Sequence, residues 1–252
     1  MLSKSTIKYV RSLRQQKYRQ KYHKIVVEGV KTVHDILSHN LLQVEVIFGT
    51  GHWIETHAKL HPAHLPLTTA VDDHELSGLS SFTTPQHVLA VCEMPDHAAD
   101  PGSVQHEICL YLDGLRDPGN VGTVFRVADW FGIRNLFLAP DTVDPFNPKV
   151  IQSSMASLFR VKWMECELST LMAQPGTHIF VTALNGVNLY ECELPDRGLI
   201  VLGNESTGVR GLPPDSHGVQ YISIPDKFRL GAESLNVAVA AGIICAEFRR
   251  RE

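Results

Sequence analysis

The feature that most limits how this chain can fold is a regular alternation beyond residue 106. Short apolar runs at 108–112 (Ile-Cys-Leu-Tyr-Leu), 135–139, 179–184, 199–202 and 220–224 are separated by helix-length segments. Apolar runs without polar alternation suit strands covered on both faces. Strand, helix and strand in repetition build a mostly parallel sheet with helices packed on it, so the fold class expected is α/β.

Three segments of this half break from apolar into polar and glycine residues. They are Leu199-Ile-Val-Leu-Gly-Asn-Glu-Ser-Thr-Gly208, Ile222-Ser-Ile-Pro225, and Glu233-Ser-Leu-Asn-Val-Ala-Val-Ala240. The last opens an alanine-rich helix with Val237, Ala241, Ile244 and Phe248 on one stripe. Strand ends, glycine loops and a helix start leave main-chain groups free, and their gathering marks a binding site in an α/β fold.

A fourth loop, Asp113-Gly-Leu-Arg-Asp-Pro-Gly-Asn-Val-Gly-Thr123, follows the first of these strands. Asn120 reads as the N-cap of a helix ending at Gly132, with Val121, Val124, Phe125 and Ala128 on its buried face. Gly122 inside that helix costs about 1 kcal/mol relative to Ala and clears space one turn before Arg126. An arginine there suits a phosphate, and it equally suits an ion pair with Asp129. Neither G-x-G-x-x-G nor a Gly-Lys-Ser/Thr phosphate loop is present, so a ligand is held by other means.

The net charge of −4 hides an asymmetry. Residues 1–24 carry Lys4, Lys8, Arg11, Arg14, Lys17, Arg19, Lys21 and Lys24 and no Asp or Glu, whereas the rest of the chain is acidic. A basic end on an acidic body points to a polyanion, here RNA, through Lys8, Arg11, Arg14, Lys17, Arg19 and Lys21. Ile7, Val10 and Leu13 form a packed stripe that leaves Lys8, Arg11 and Tyr18 to solvent. A solvated helix with no ligand and an organellar leader are the competing readings, but the run passes directly into a strand, Ile25-Val-Val-Glu-Gly29.

A helix over Val30–Leu37 and strands at 44–48 and 87–94 complete a smaller unit. His52, His57, His61 and His64 lie between those strands. His57 and His61 have helical metal-ligand spacing, but Pro62 and the lack of neighbouring Cys or carboxylates favour surface histidines. The polar stretch Pro95–Ser103 reads as the boundary, dividing the chain into residues 1–98 and 107–252. Five scattered cysteines without a Cys-x-x-Cys pair suit reduced thiols in a cytosolic protein, and no apolar run is long enough to span a membrane.

Asp113–Arg126 closely resembles the first motif of the SpoU/TrmH family of RNA ribose methyltransferases. Leu202-Gly-Asn-Glu-Ser-Thr-Gly-Val-Arg210 is similar to the second motif, and Ile224-Pro225 with Ser234–Ala240 to the third. The basic helix and Val-Val-Glu-Gly of the N-terminal half also resemble the small α/β/α, ribosomal-protein-like RNA-gripping domain of family members.

The resemblance implies a deep trefoil knot near the C-terminus that holds S-adenosylmethionine. It implies cofactor contacts from Leu202, Gly203, Asn204, Ile224 and Leu235, with Thr182, Ala183 and Leu184 lining the pocket. Arg126 would be the principal catalytic residue, completed by Asn120, Glu205, Ser234 and Asn236, with no metal. Ser234 reads equally as the cap of the last helix. A homodimer formed through that helix is implied as well. The reaction would be methylation of a ribose 2′-hydroxyl, on ribosomal RNA in preference to transfer RNA. A non-catalytic RNA-binding or ribosome-assembly protein of the same fold is the alternative. Two departures stand out. The loop Asp226–Glu233 is about two residues longer than usual, and Gln152 and Ala156 replace the family's usual Arg and Gly.

Overall fold

The computed structural model describes residues 1–56, 60–96, 98–204, 207–210, 212, 218–226 and 233–250. The chain divides into two compact units, Met1–Asp96 with Asp144–Phe159, and the remaining residues. The second segment of the first unit differs from a single cut near residue 98, because the helix Pro148–Ser154 packs on the strand Lys24–Glu28.

In the first unit, α1 (Lys4–Ser12) and α2 (Gln16–Tyr22) replace one continuous basic helix. Ser3 caps α1, accepting from the Thr6 N–H at 3.0 Å. After β1 (Lys24–Glu28) come α3 (Val30–His39), β2 (Val44–Thr50), α4 (Gly51–Thr56), β3 (Thr68–Val71), α5 (Asp73–Leu79) and β4 (Val88–Glu93). The sheet order is β1-β4-β2-β3, with β4 antiparallel to both β1 and β2 and β3 parallel to β2. Val10 and Leu13 are buried against Phe48, Leu76, Leu79, Leu89 and Val91, and Ile7 packs beside them, so the stripe along α1 is its core face. Glu28, buried at the end of β1, accepts from Ser80 Oγ, from the Ser81 N–H at 2.9 Å and from Ser81 Oγ at 2.5 Å, which satisfies its carboxylate.

His61 is buried, not a surface residue; its Nε2 lies 2.9 Å from His34 Nδ1, while His57 lies outside the described residues. Among the described residues no group of three or more His, Cys, Asp or Glu is placed to hold a metal.

The second unit carries β5 (Ile108–Asp113), α6 (Pro118–Trp130) and β6 (Asn135–Leu138); α7 (Pro148–Ser154) then belongs to the first unit. Next come β7 (Lys162–Glu165), α8 (Leu168–Met172), β8 (Ile179–Asn188), β9 (Gly198–Gly203), β10 (Val219–Ser223) and α9 (Val237–Arg249). All six strands are parallel, in the order β10-β8-β9-β5-β6-β7. The order in which strands are added reverses between β5 and β9, a topological switch point. Tyr111, Phe137, Val181 and Val201 pack on one face with Leu168 and Leu171 of α8. On the other face Phe248 of α9 meets Phe180 edge-on, ring centroids 5.1 Å apart.

Met155 and Ala156, which follow α7, both hold left-handed backbone, φ 49° and 68°. Glycine adopts that backbone without steric cost, so Ala156 stands where the resemblance leads one to expect glycine.

Candidate active site

The site lies in the second unit, at the carboxyl ends of β5, β8, β9 and β10. There the three motifs are tied together by hydrogen bonds. Asp117 caps α6, accepting from the Asn120 N–H at 2.9 Å, with Pro118 in the first helical position. Asn120 is therefore not the cap as expected; it sits inside the first turn. Its Oδ1 accepts from Asn236 Nδ2 at 2.9 Å, joining motif one to motif three. Asn236, and not Ser234, caps α9: its Oδ1 accepts from the N–H groups of Ala238 at 3.0 Å and Val239 at 3.3 Å. Asn204 Nδ2 donates to the Gly114 carbonyl at 2.9 Å, joining motif two to motif one.

Below these contacts lies an ionic clamp that the sequence reading did not single out. Arg210 Nη2 donates to Asp113 Oδ1 at 2.6 Å and Nε to the same oxygen at 3.1 Å, and its main-chain N–H reaches Asp113 Oδ2 at 2.6 Å. Nη1 and Nη2 also fork onto the two oxygens of Asp141, both at 2.8 Å. Those bonds hold the Asp141 carboxyl below the usual carboxylate range and raise the Arg210 pKa. Gly114, at φ 65°, lies so close that a Cβ there would overlap the Arg210 guanidinium. The signal available in the sequence was an aspartate ending a strand and an arginine closing the second motif.

Beneath the clamp the backbone forms a cradle. Gly203 ends β9 in register with Asp113; a Cβ on it would stand 2.5 Å from the Gly208 carbonyl carbon and 2.7 Å from the Val209 nitrogen. Asn204 and Gly208 exchange two main-chain hydrogen bonds of 3.1 and 2.9 Å, closing the loop between them. β8 pairs with β9 from Ile179 to Val181 and no further, and its register with β10 jumps from Val181 to Val187. Thr182–Gly186 thus lie outside both ladders, with Thr182 and Ala183 half-buried and Leu184 74% exposed. Leu235 is exposed and Ile224 half-buried near the other strand ends, while Leu202 is buried and offers only its main chain. Exposed leucines with glycine backbone at the strand ends suit an adenine-bearing ligand, so the residues present fit S-adenosylmethionine.

Arg126 is exposed on α6 and makes no ion pair among the described residues. Its candidate partner Asp129 instead accepts from Arg160 Nε at 2.8 Å. Ser234 is exposed ahead of α9, and Glu205 lies outside the described residues, as does most of the loop 226–233.

Of the six basic residues expected to meet RNA, Lys8, Arg11, Arg14, Lys17 and Lys21 are exposed. Arg19 departs from that expectation. It is 4% exposed and donates to the carbonyls of Leu13 at 3.0 Å and Arg14 at 2.8 Å and to Asp144. Its guanidinium fastens the turn between α1 and α2. Arg11 and Arg14 also donate to carbonyls, of Gly78 and of Leu79 and Ser80, tying α1 to the end of α5.

Comparison with known proteins agrees with this fold. The model described as the SpoU rRNA Methylase family matches residues 107–246, more than half of the chain, and an MRM3-like substrate binding domain matches residues 4–90. The chain is 30% identical over 184 residues to the 23S rRNA (guanosine(2553)-2'-O)-methyltransferase RlmP of Bacillus subtilis, covering 71% of each. A solved TrmH-family structure from Porphyromonas gingivalis is 36% identical over the full length of both chains, with a TM-score of 0.83. An AdoMet-bound rRNA methyltransferase from Sinorhizobium meliloti is 27% identical, with a TM-score of 0.81, over 100% of this chain and 96% of its own. A mostly parallel α/β sheet, three motifs meeting at its strand ends and these matches lead to one assignment: the chain belongs to the SpoU rRNA methylase family.

Proposed function

We propose that this protein transfers a methyl group from S-adenosylmethionine to a ribose 2′-hydroxyl of ribosomal RNA. The observation that carries the reading is the convergence of the three motifs through Asn120–Asn236, Asn204–Gly114 and Asp113–Arg210. When bound, the cofactor supplies an electrophilic sulfonium methyl. The chain's own work is to place and orient the ribose. Arg126 is read as a donor, because a guanidinium offers five N–H groups and no acceptor. It therefore acts by holding a substrate phosphate and stabilising negative charge that develops on the 2′-oxygen. Asn120 and Asn236, held together, fix the starts of α6 and α9 on either side of that position.

The same reading includes a trefoil knot and a homodimer. Support for the knot comes from the sheet: β9 inserts between β8 and β5, β10 lies outside β8, and α9 then returns to pack on α6. Val239 leaves an exposed apolar side chain on α9, the helix through which family members are expected to pair.

The test is transfer of labelled methyl to ribosomal RNA from a host lacking this gene, with the product digested and mapped. Label at one ribose position is expected. Arg126→Ala should abolish transfer while cofactor affinity measured by calorimetry stays within about twofold. Cofactor binding with no labelled ribose, or label on a base, would overturn the assignment.

A further inference from the structure

Within α2 the sequence Gln16-Lys17-Tyr18-Arg19-Gln20-Lys21-Tyr22 repeats Gln-Lys-Tyr at a spacing of four. One helical turn therefore separates the two tyrosines and the two lysines, and each pair shares a face. The rings of Tyr18 and Tyr22 lie nearly parallel, 12° between planes and 6.2 Å between centroids. Tyr9 of α1 meets Tyr22 edge-on at 5.4 Å. Lys17 Nζ stands 4.9 Å from the Tyr18 ring centre and Lys21 Nζ 5.2 Å from that of Tyr22.

Tyr9 lies against the core of the first unit, but core packing does not explain Tyr18 and Tyr22. The only residue of α2 that is buried is Arg19, so the helix is anchored by a guanidinium and not by its aromatic residues. Tyr22 is 39% exposed and Tyr18 half-buried. Nor does the surface carry balancing charge: residues 1–24 contain no carboxylate, and Lys4, Lys8, Lys17 and Lys21 are exposed without a carboxylate partner among the described residues. The carboxylates recorded around this surface are engaged elsewhere: Glu45 Oε1 accepts from the Tyr9 hydroxyl at 3.4 Å, its other oxygen and Glu93 pair with Lys24, and Asp96 lies 3.9 Å from His23 Nε2.

We propose that Tyr18 and Tyr22, flanked by Lys17 and Lys21, form a stacking platform for unpaired bases of the RNA substrate. The inference rests on RNA being the substrate and adds which part of it this face takes. Bases in a duplex are stacked on each other, so only single-stranded nucleotides can lie on tyrosine rings. The lysines, whose ammonium groups lie over the ring faces in the free protein, turn to the phosphates of the same strand when bases take those faces. Arg19, locked to Leu13, Arg14 and Asp144, holds the platform at a fixed angle to α1.

The test uses the full-length protein and a fluorescent single-stranded ribo-oligonucleotide of mixed sequence, with the same sequence as a duplex for comparison. Wild type should bind the single strand in preference to the duplex. Tyr18→Ala with Tyr22→Ala should weaken single-strand binding by about tenfold or more, and Tyr18→Phe with Tyr22→Phe should restore it. Lys17→Gln with Lys21→Gln should flatten the salt dependence of binding. In wild type, ultraviolet cross-linking should attach the oligonucleotide to the peptide holding residues 16–22, a readout that needs no variant to fold. Duplex preference, equal loss in the Ala and Phe pairs, or cross-links confined elsewhere would overturn the platform. If methyl transfer to ribosomal RNA persists in that case, the enzymatic reading stands without it; absence of both RNA binding and transfer would remove both.

Discussion

Replacing Arg210 by alanine tests whether the clamp between the first two motifs holds the site together. The Asp113 side chain is 7% exposed, and the substitution removes its two guanidinium bonds while leaving the main-chain N–H of residue 210 in place. Orphaning a buried charge costs about 3–5 kcal/mol. The retained N–H, and water entering beside a guanidinium that was 45% exposed, reduce that figure to about 2–3 kcal/mol. The exposed Asp141 half of the clamp adds at most about 1 kcal/mol. A chain of this size loses about 2–4 °C of melting temperature per kcal/mol, so calorimetry should show a drop of about 4–16 °C for a total loss of about 2–4 kcal/mol. Adding Asp113→Asn should recover part of the loss, since a neutral amide no longer leaves a charge unpaired. Acid titration adds a sign to the test. The Asp141 pKa is lowered in the folded state, so its contribution is present above the ordinary carboxylate pKa near 3.9 and is lost as pH falls through the lowered folded value. The stability gap between wild type and Arg210→Ala should thus stay constant from about pH 5 to 8 and shrink on further acidification. A gap below about 0.5 kcal/mol, or one that widens in acid, would refute the reasoning.

Gly203→Ala should abolish cofactor binding in a calorimetric titration, because the new methyl meets the backbone of Gly208 and Val209, which no side-chain movement can relieve. Asn236→Ala removes the cap of α9 and the bond to Asn120; it should cost about 1–2 kcal/mol in denaturant melts and lower transfer more than cofactor affinity. Burial pushes the thiols of Cys92, Cys109 and Cys245 up to about 12 and that of Cys166 to about 11. Mass spectrometry after alkylation at pH 8 should therefore find those four thiols largely unmodified in the native protein and all five cysteines modified in denaturant.

The long apolar runs made most of the second unit legible without coordinates. β5, β6, β8 and β9 lie where those runs placed them, because a strand covered on both faces has little choice of residue, and the edge strand β10 was found from its own run of five mostly apolar residues. The stripe Val237, Ala241, Ile244 and Phe248 likewise marked the buried face of α9. β3 and β7 were not legible. They are four-residue edge strands, and an edge strand buries too little apolar surface to stamp a pattern on its residues. At Asp117 and Asn120 two good capping residues stood three apart, and Pro118 decided between them by supplying the first helical position.

By itself, then, the sequence determined the parallel α/β class, the three motifs and the basic character of the first helices. These follow from local periodicity and residue chemistry, which need no knowledge of distant partners. Only the tertiary structure decided which charges are used internally. Arg19 meets Asp144 and Arg210 meets Asp113 across separations of 125 and 97 residues. The tertiary structure also decided that Asp144–Phe159 joins the first unit and that Asn236 reaches Asn120. The physical reason is that pairing over such distances depends on which loops the folded sheet brings side by side, and no spacing along the chain encodes it.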